Sequence, residues 1–201
     1  MPDPKPMVKF DMSGAVSFDL ARGQVTLDAS SPSFLVPASA IRALCASGDS
    51  DVVKDFASRM GDEAGRRMLQ RFPQQLKDVS PEELIDHLGG ELALAGLGSL
   101  SLEFWGKAMV FGITGCPLIE EEPSRNTDAF RFLCSLLGSA LTRCFGREVR
   151  LAALGSVSTT ARFVVCTARS AARVEGWMLE GCNYGEALAR LNASTSDRGV
   201  H

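Results

Sequence analysis

Residues Asp128 to Phe145 would be apolar on almost every side if wound into a helix, and such a rod must be buried. One face holds Phe130, Leu133, Leu137, Leu141, Cys144 and Phe145. A second holds Ala129, Phe132, Leu136 and Ala140. Only a narrow strip with Asp128, Arg131, Ser135, Thr142 and Arg143 is polar. Leaving Phe132 and Leu136 in water would forgo about 1.5–3 kcal/mol each. The second face therefore needs a cover: other helices, a second copy of the chain, or a ligand. Gly138-Ser139-Ala140 offers a small-residue patch for close approach. Asn126 or Thr127 can cap the start, and Gly146 stops the helix.

The rest of the chain reads as hairpins and helices around this rod. Val16–Leu20 and Val25–Leu27 alternate apolar and polar residues, and Ala21-Arg22-Gly23-Gln24 joins them, which predicts an N-terminal β-hairpin. Ser30–Ser33 reads as a polar linker, and Phe34-Leu35-Val36 as a short apolar lead-in. Pro37 suits a first helical turn, so a short helix is expected over Ala38–Ala46, ending at Gly48. A longer one begins near Ser50 or Asp51 and carries Val52, Val53, Phe56, Met60, Ala64, Met68, Leu69 and Phe72 until Pro73 stops it. Lys54, Asp55, Arg59, Asp62, Glu63, Arg66 and Arg67 fall mainly on its opposite side. Ser80-Pro81-Glu82-Glu83 is a capped helix start, carried by Leu84, Ile85, Leu88, Leu92 and Ala95 to Gly96. Gly89-Gly90 weakens that helix by about 1 kcal/mol each relative to Ala and predicts a close contact or a break.

Ser99–Phe104 alternates cleanly, Trp105-Gly106-Lys107 turns, and Ala108–Ile113 returns. Pro117–Asn126 is an acidic loop. After the apolar helix, Glu148–Leu154 and Ala161–Thr167 form a further hairpin across Gly155–Thr160. Ser170 is expected to cap a helix through Leu179, and Asn183-Tyr184-Gly185-Glu186 a last one to Leu191, with Asn192–His201 disordered. The expected fold class is α+β, an antiparallel sheet packed on helices in two layers, with an extra N-terminal β-hairpin. The expected division is a tail and hairpin over 1–36, one domain over 37–192, and a disordered tail over 193–201.

Bulk properties exclude several functions. The 201 residues are 45% hydrophobic and 22% charged, enough for a full core. A net charge of −3 and a pI near 5.5 argue against a nucleic-acid partner, which needs a basic footprint. The apolar runs Leu92–Leu97 and Ala108–Ile113 are far shorter than the roughly 18 residues of a membrane span. The start, Met1-Pro2-Asp3-Pro4-Lys5-Pro6, lacks the apolar run of a signal peptide, so the expected location is the cytoplasm. Arg far outnumbers Lys, a usage expected of a high-GC bacterial genome. Cys45, Cys116, Cys134, Cys144, Cys166 and Cys182 form no CxxC pair and have no His at ligand spacing, so they read as small buried hydrophobes.

The block Ser80–Val165 resembles the 4-vinyl reductase-like domain family, whose superfamily includes TRAPP vesicle-transport subunits and bacterial haem–nitric oxide sensors. The resemblance lies in order and spacing. A capped helix precedes Gly96-Leu97-Gly98-Ser99-Leu100-Ser101-Leu102-Glu103, then come a strand pair, an acidic loop, a long Gly- and Ala-bearing helix, Gly146-Arg147-Glu148-Val149, and closing strands. It implies a two-layer α/β fold that dimerises through helices and a hydrophobic cavity for small ligands or acyl chains. Relatives carry metal-holding cysteines around the last hairpin. Gly155-Ser156-Val157-Ser158-Thr159-Thr160 has none and Cys166 stands alone, so no metal site and no cofactor are expected.

No catalytic constellation stands out. His87 lies between Asp86 and Leu88, and His201 is terminal. Neither has a partner motif for haem ligation or base catalysis, and a structural role is expected for His87. There is no Gly-x-Ser-x-Gly elbow, and Gly106-Lys107 is followed by Ala108 rather than Ser or Thr. Glu120-Glu121-Glu122 reads as a solvated loop. Trp105, Trp177 and Tyr184 are candidates for a partner surface, with core packing as the competing role. Phe130, Phe132, Leu133, Leu136, Leu137 and Ala140 are candidates for a dimer face or an apolar ligand cavity. The leading expectation is a non-enzymatic binding or scaffold module, a homodimer acting through contacts with a protein partner in a bacterial regulatory or assembly system. The alternative is a sensor that binds a small apolar ligand, a lipid or an aromatic, in a helix-lined cavity.

Overall fold

The alternating run after Gly98 folds as β4 (Ser99–Trp105) and pairs with β5 (Ala108–Thr114) across a tight turn where Gly106 takes φ +63°. A computed structural model describes residues 10–11, 13–27, 31–47, 49–72, 79–119 and 127–196. In it β7 (Thr160–Cys166) pairs with β5, and β6 (Arg150–Val157) with β7, giving an antiparallel sheet in the order β4-β5-β7-β6. β6 runs through Gly155, which the sequence reading gives to a loop. A bulge between Ala153 and Gly155 absorbs the glycine, at φ +93°, so pairing continues to Val157.

Strand alternation gives the sheet two buried faces. Phe111, Ile113, Leu151, Ala161 and Phe163 join the core built on α4 (Thr127–Phe145). Val110, Ala152, Leu154 and Val164 pack with Ala171 and Val174 of α5 (Ala168–Leu179) and Ala187 and Leu188 of α6 (Tyr184–Ser196). α2 (Ser50–Arg71) lies on the far side of α4, α1 (Ala38–Ala46) beside both, and α3 (Pro81–Leu94) between α2 and β4. The expected α+β class holds, and helices stand on both faces of the sheet.

Several local expectations are corrected. Ser31–Ser33 is a strand, β3, pairing with β2 (Gln24–Leu27), which pairs with β1 (Val16–Asp19). Pro32 is tolerated because β3 is an edge strand, where a missing N–H breaks no ladder. Thr167, not Ser170, caps α5: its Oγ1 accepts the Ser170 N–H at 3.4 Å. α3 stops at Leu94, and Gly96, at φ +68°, lets the Leu97 N–H reach the Leu92 carbonyl at 2.8 Å, a glycine-ended helix stop. α6 starts at the predicted Asn183/Glu186 box, with Glu186 N–H to Asn183 Oδ1 at 3.0 Å and Asn183 N–H to Glu186 Oε2 at 3.1 Å. It continues past Leu191 to Ser196. The α4 cap at Asn126, the Glu120-Glu121-Glu122 segment and residues 197–201 lie outside the described residues.

Candidate functional site

The cover that α4 requires is α2 of the same chain. Ala57, Gly61 and Gly65 recur at every fourth position of α2 and are buried. A Cβ at Gly61 would collide with the Leu136 carbonyl oxygen, and one at Gly65 would lie 2.7 Å from the Ala140 oxygen. The two backbones thus approach closely, and the Cys144 thiol reaches the Gly65 carbonyl at 3.8 Å. Phe132 stacks at a tilt on Phe56, 6.4 Å between centroids. Phe132, Leu133, Leu136, Leu137 and Ala140 are buried, and half-buried Phe130 meets Phe163 of the sheet edge-on at 5.7 Å. A surface cleft of about 490 Å³ between α1 and the start of α4 is lined by Arg42, Cys45, Leu118 and Asp128, among others. None of the six predicted cavity or dimer-face residues lines it. Burial pushes the α4 thiols up, Cys144 to about 11 and Cys134 further, and does the same to Cys166 of β7, to about 12.

The polar centre lies on α2's other side, against α3. His87 and Glu91 are the buried polar side chains among the described residues, each 2% exposed. They share the inward face of α3 with Leu84, Leu88 and Leu92. Arg67 clamps Glu91 Oε2 through Nε at 2.9 Å and Nη2 at 2.6 Å, and Arg71 holds Oε1. A carboxylate so deep is tolerable only because two guanidinium groups neutralise and hydrogen-bond it. Beside this clamp is an aromatic slot. The Phe72 ring lies 4.5 Å from the His87 ring. The Phe10 ring enters from the N-terminal segment, edge-on to His87 at 5.7 Å, with the Arg71 guanidinium 4.6 Å from its centroid. Gly90 forms the floor, since any Cβ there would overlap the Phe10 ring. The Phe10 N–H donates to Asp86 Oδ2 at 2.8 Å.

Glu91, Arg71 and Phe10 were not singled out from sequence, and Arg67 was placed only on the side of α2 opposite its apolar residues. A signal existed: Glu91 sits three residues after Leu88 and seven after Leu84, on the apolar stripe of α3. Gly89-Gly90 did announce a close contact, which the structure assigns to Gly90. Gly89 has only Leu100 Cβ nearby, at 3.6 Å.

Trp105, Trp177 and Tyr184 all lie on the α5/α6 side of the sheet. Trp105 and Tyr184 pack edge-on at 5.6 Å, and the Arg162 guanidinium lies 5.5 Å from the Tyr184 centroid. Trp105 remains 38% exposed and donates from Nε1 to Glu103 at 3.0 Å. Trp177 is flanked by Arg173 and Arg190, at 4.9 and 5.8 Å. Among the described residues no group of three or more His, Cys, Asp or Glu is placed to hold a metal ion.

No family model matches the chain, and no curated protein matches it. Among solved structures it is similar to the phenol-responsive sensory domain of the transcription activator PoxR, determined with phenol. The TM-score is 0.54 at 13% identity, over 90% of this chain and 93% of that one. The chain shares its α+β fold with that sensory domain.

Proposed function

We propose that this protein is a non-enzymatic sensor domain that binds a small aromatic ligand, and that the α2–α3 slot is where the ligand sits. The observation that carries the reading is the Phe10 ring: the slot already holds an aromatic group with a cation over its face, a histidine at its edge and a glycine floor. Those are the elements an aromatic ligand site needs: apolar walls with a few placed polar groups. The buried Glu91–Arg67–Arg71 clamp supports it by fixing Arg71 in position. The shared fold with a phenol-responsive sensory domain supports it at the level of architecture. We keep the 4-vinyl reductase-like relationship within the same proposal. A cytoplasmic location also fits, because all six cysteines are free.

Phenol and toluene titrated calorimetrically into the full chain test this. Saturable binding of either, weakened at least about tenfold by His87→Ala, is the expected result. Absence of binding by both at millimolar concentration would sink the reading.

The second reading, a homodimeric module working through protein contacts, draws on one observation. Phe18, Leu20, Phe34 and Leu35 of the N-terminal region are 57%, 89%, 82% and 75% exposed. Large apolar side chains left in water gain stability from a second copy packed against them. Light scattering that gives a monomer at micromolar concentration overturns it.

A further inference from the structure

We infer that Phe10 is a built-in occupant of the α2–α3 slot, so that an aromatic ligand binds by displacing the chain's own N-terminal ring. This rests on the slot being the ligand site and goes beyond it by assigning the site its regulation. Phe10 is set apart from the surrounding core by how it is held. It lies about 60 residues from Arg71 and about 76 from Asp86 in sequence, and Phe10 and Asp11 stand outside the described helices and strands. Its ring is half-buried, whereas His87 behind it is 2% exposed. Among the described residues, its backbone is tied to α3 by a hydrogen bond to the exposed Asp86 side chain. Asp11 next to it is exposed and bonds locally, to the Ser13 N–H and hydroxyl. Arg71, His87 and Gly90, in contrast, stand on α2 and α3, and Arg71 is held by the Glu91 clamp. Removing the ring therefore leaves a preformed cavity, and replacing it by a ligand ring of the same chemistry preserves each contact.

Two consequences follow. First, the internal ring taxes ligand affinity in proportion to the time it occupies the slot. Second, ligand binding frees the Phe10 segment, which converts occupancy into a structural signal at the N-terminal end of the domain.

The test measures phenol binding calorimetrically to the full wild-type chain, to Phe10→Ala and to Asp86→Ala, each first checked for a cooperative thermal melt. If Phe10 is the gate, Phe10→Ala binds phenol at least about tenfold tighter than wild type, and Asp86→Ala, which loosens the anchor and leaves the ring, binds tighter by a smaller factor. Equal affinity of all three, with binding present, overturns the gate while the sensor reading stands. Binding by none of them overturns both. Should Phe10→Ala fail to fold, Asp86→Ala decides alone: tighter binding supports the gate, and unchanged or weaker binding refutes it.

Discussion

α2 is packed on two sides, and the two seams are built on opposite principles. Against α4 it presents Ala57, Gly61 and Gly65, and the helices close to near backbone contact with a thiol and apolar rings at the edges. Against α3 it presents Arg67 and Arg71 to a buried carboxylate, and leaves room beside them for an aromatic ring from elsewhere in the chain. The first seam has no exchangeable part, because every contact belongs to helices that cannot separate without unfolding. The second holds a ring that can leave while its walls stay. A domain that must be rigid and also respond to a ligand benefits from keeping these properties in separate places.

The comparison can be broken most directly at Glu91. Glu91→Ala leaves two guanidinium groups facing a buried void, and a loss of about 3–5 kcal/mol in urea unfolding is expected. A loss below about 1 kcal/mol would mean that the clamp is solvated and the slot wall is not fixed. Next in size is Gly61→Ala, whose added methyl meets the Leu136 carbonyl oxygen; it should lower stability by about 1–3 kcal/mol while leaving phenol binding unchanged. A change in phenol affinity without loss of stability would show that the seams are not independent. The paired glycines of α3 sharpen the contrast within a single turn. Gly89→Ala finds only ordinary contact and should stabilise the protein by about 0.5–1 kcal/mol through helix propensity. Gly90→Ala evicts the Phe10 ring, so an equal gain there would refute the slot.

The smallest effect at neutral pH belongs to Cys144 in the α2–α4 seam. Burial raises its pKa from 9.0 to about 11, so the folded state favours the neutral thiol. Its contribution is fully present below pH 9 and is lost as pH rises toward 11. The folded protein should resist alkylation at Cys144 at pH 8, read by mass spectrometry, and become reactive on unfolding. Rapid labelling under native conditions would show that the seam opens.

Most elements were legible because punctuation and period agreed. Pro37 precedes α1, which runs over Ala38–Ala46 as expected, and Ser80-Pro81 opens α3 with Ser80 Oγ accepting the Glu83 N–H at 3.1 Å. β3 was not legible, since Ser-Pro-Ser has neither alternation nor β-formers, and only pairing with β2 makes it a strand. Arg67 lies opposite the apolar stripe as expected, but what meets that side was not legible in the sequence. α2 has two partners, and its second side is charged yet buried. The slot was half announced, by Gly90 and by a glutamate on an apolar stripe, but its occupant lies far away in sequence.

The sequence by itself determined that Asp128–Phe145 is a buried helix, because hydrophobic periodicity is a local property and water penalises both faces wherever the helix lies. It could not determine what covers the second face, since a helix, a second copy and a ligand all satisfy the same apolar demand. Only the tertiary structure decided that, by bringing Gly61 and Gly65 of α2 onto the α4 backbone. The polar centre between α2 and α3 was decided the same way. Glu91 alone is an uncompensated charge, and becomes part of a site only when folding carries two arginines across from another helix to meet it.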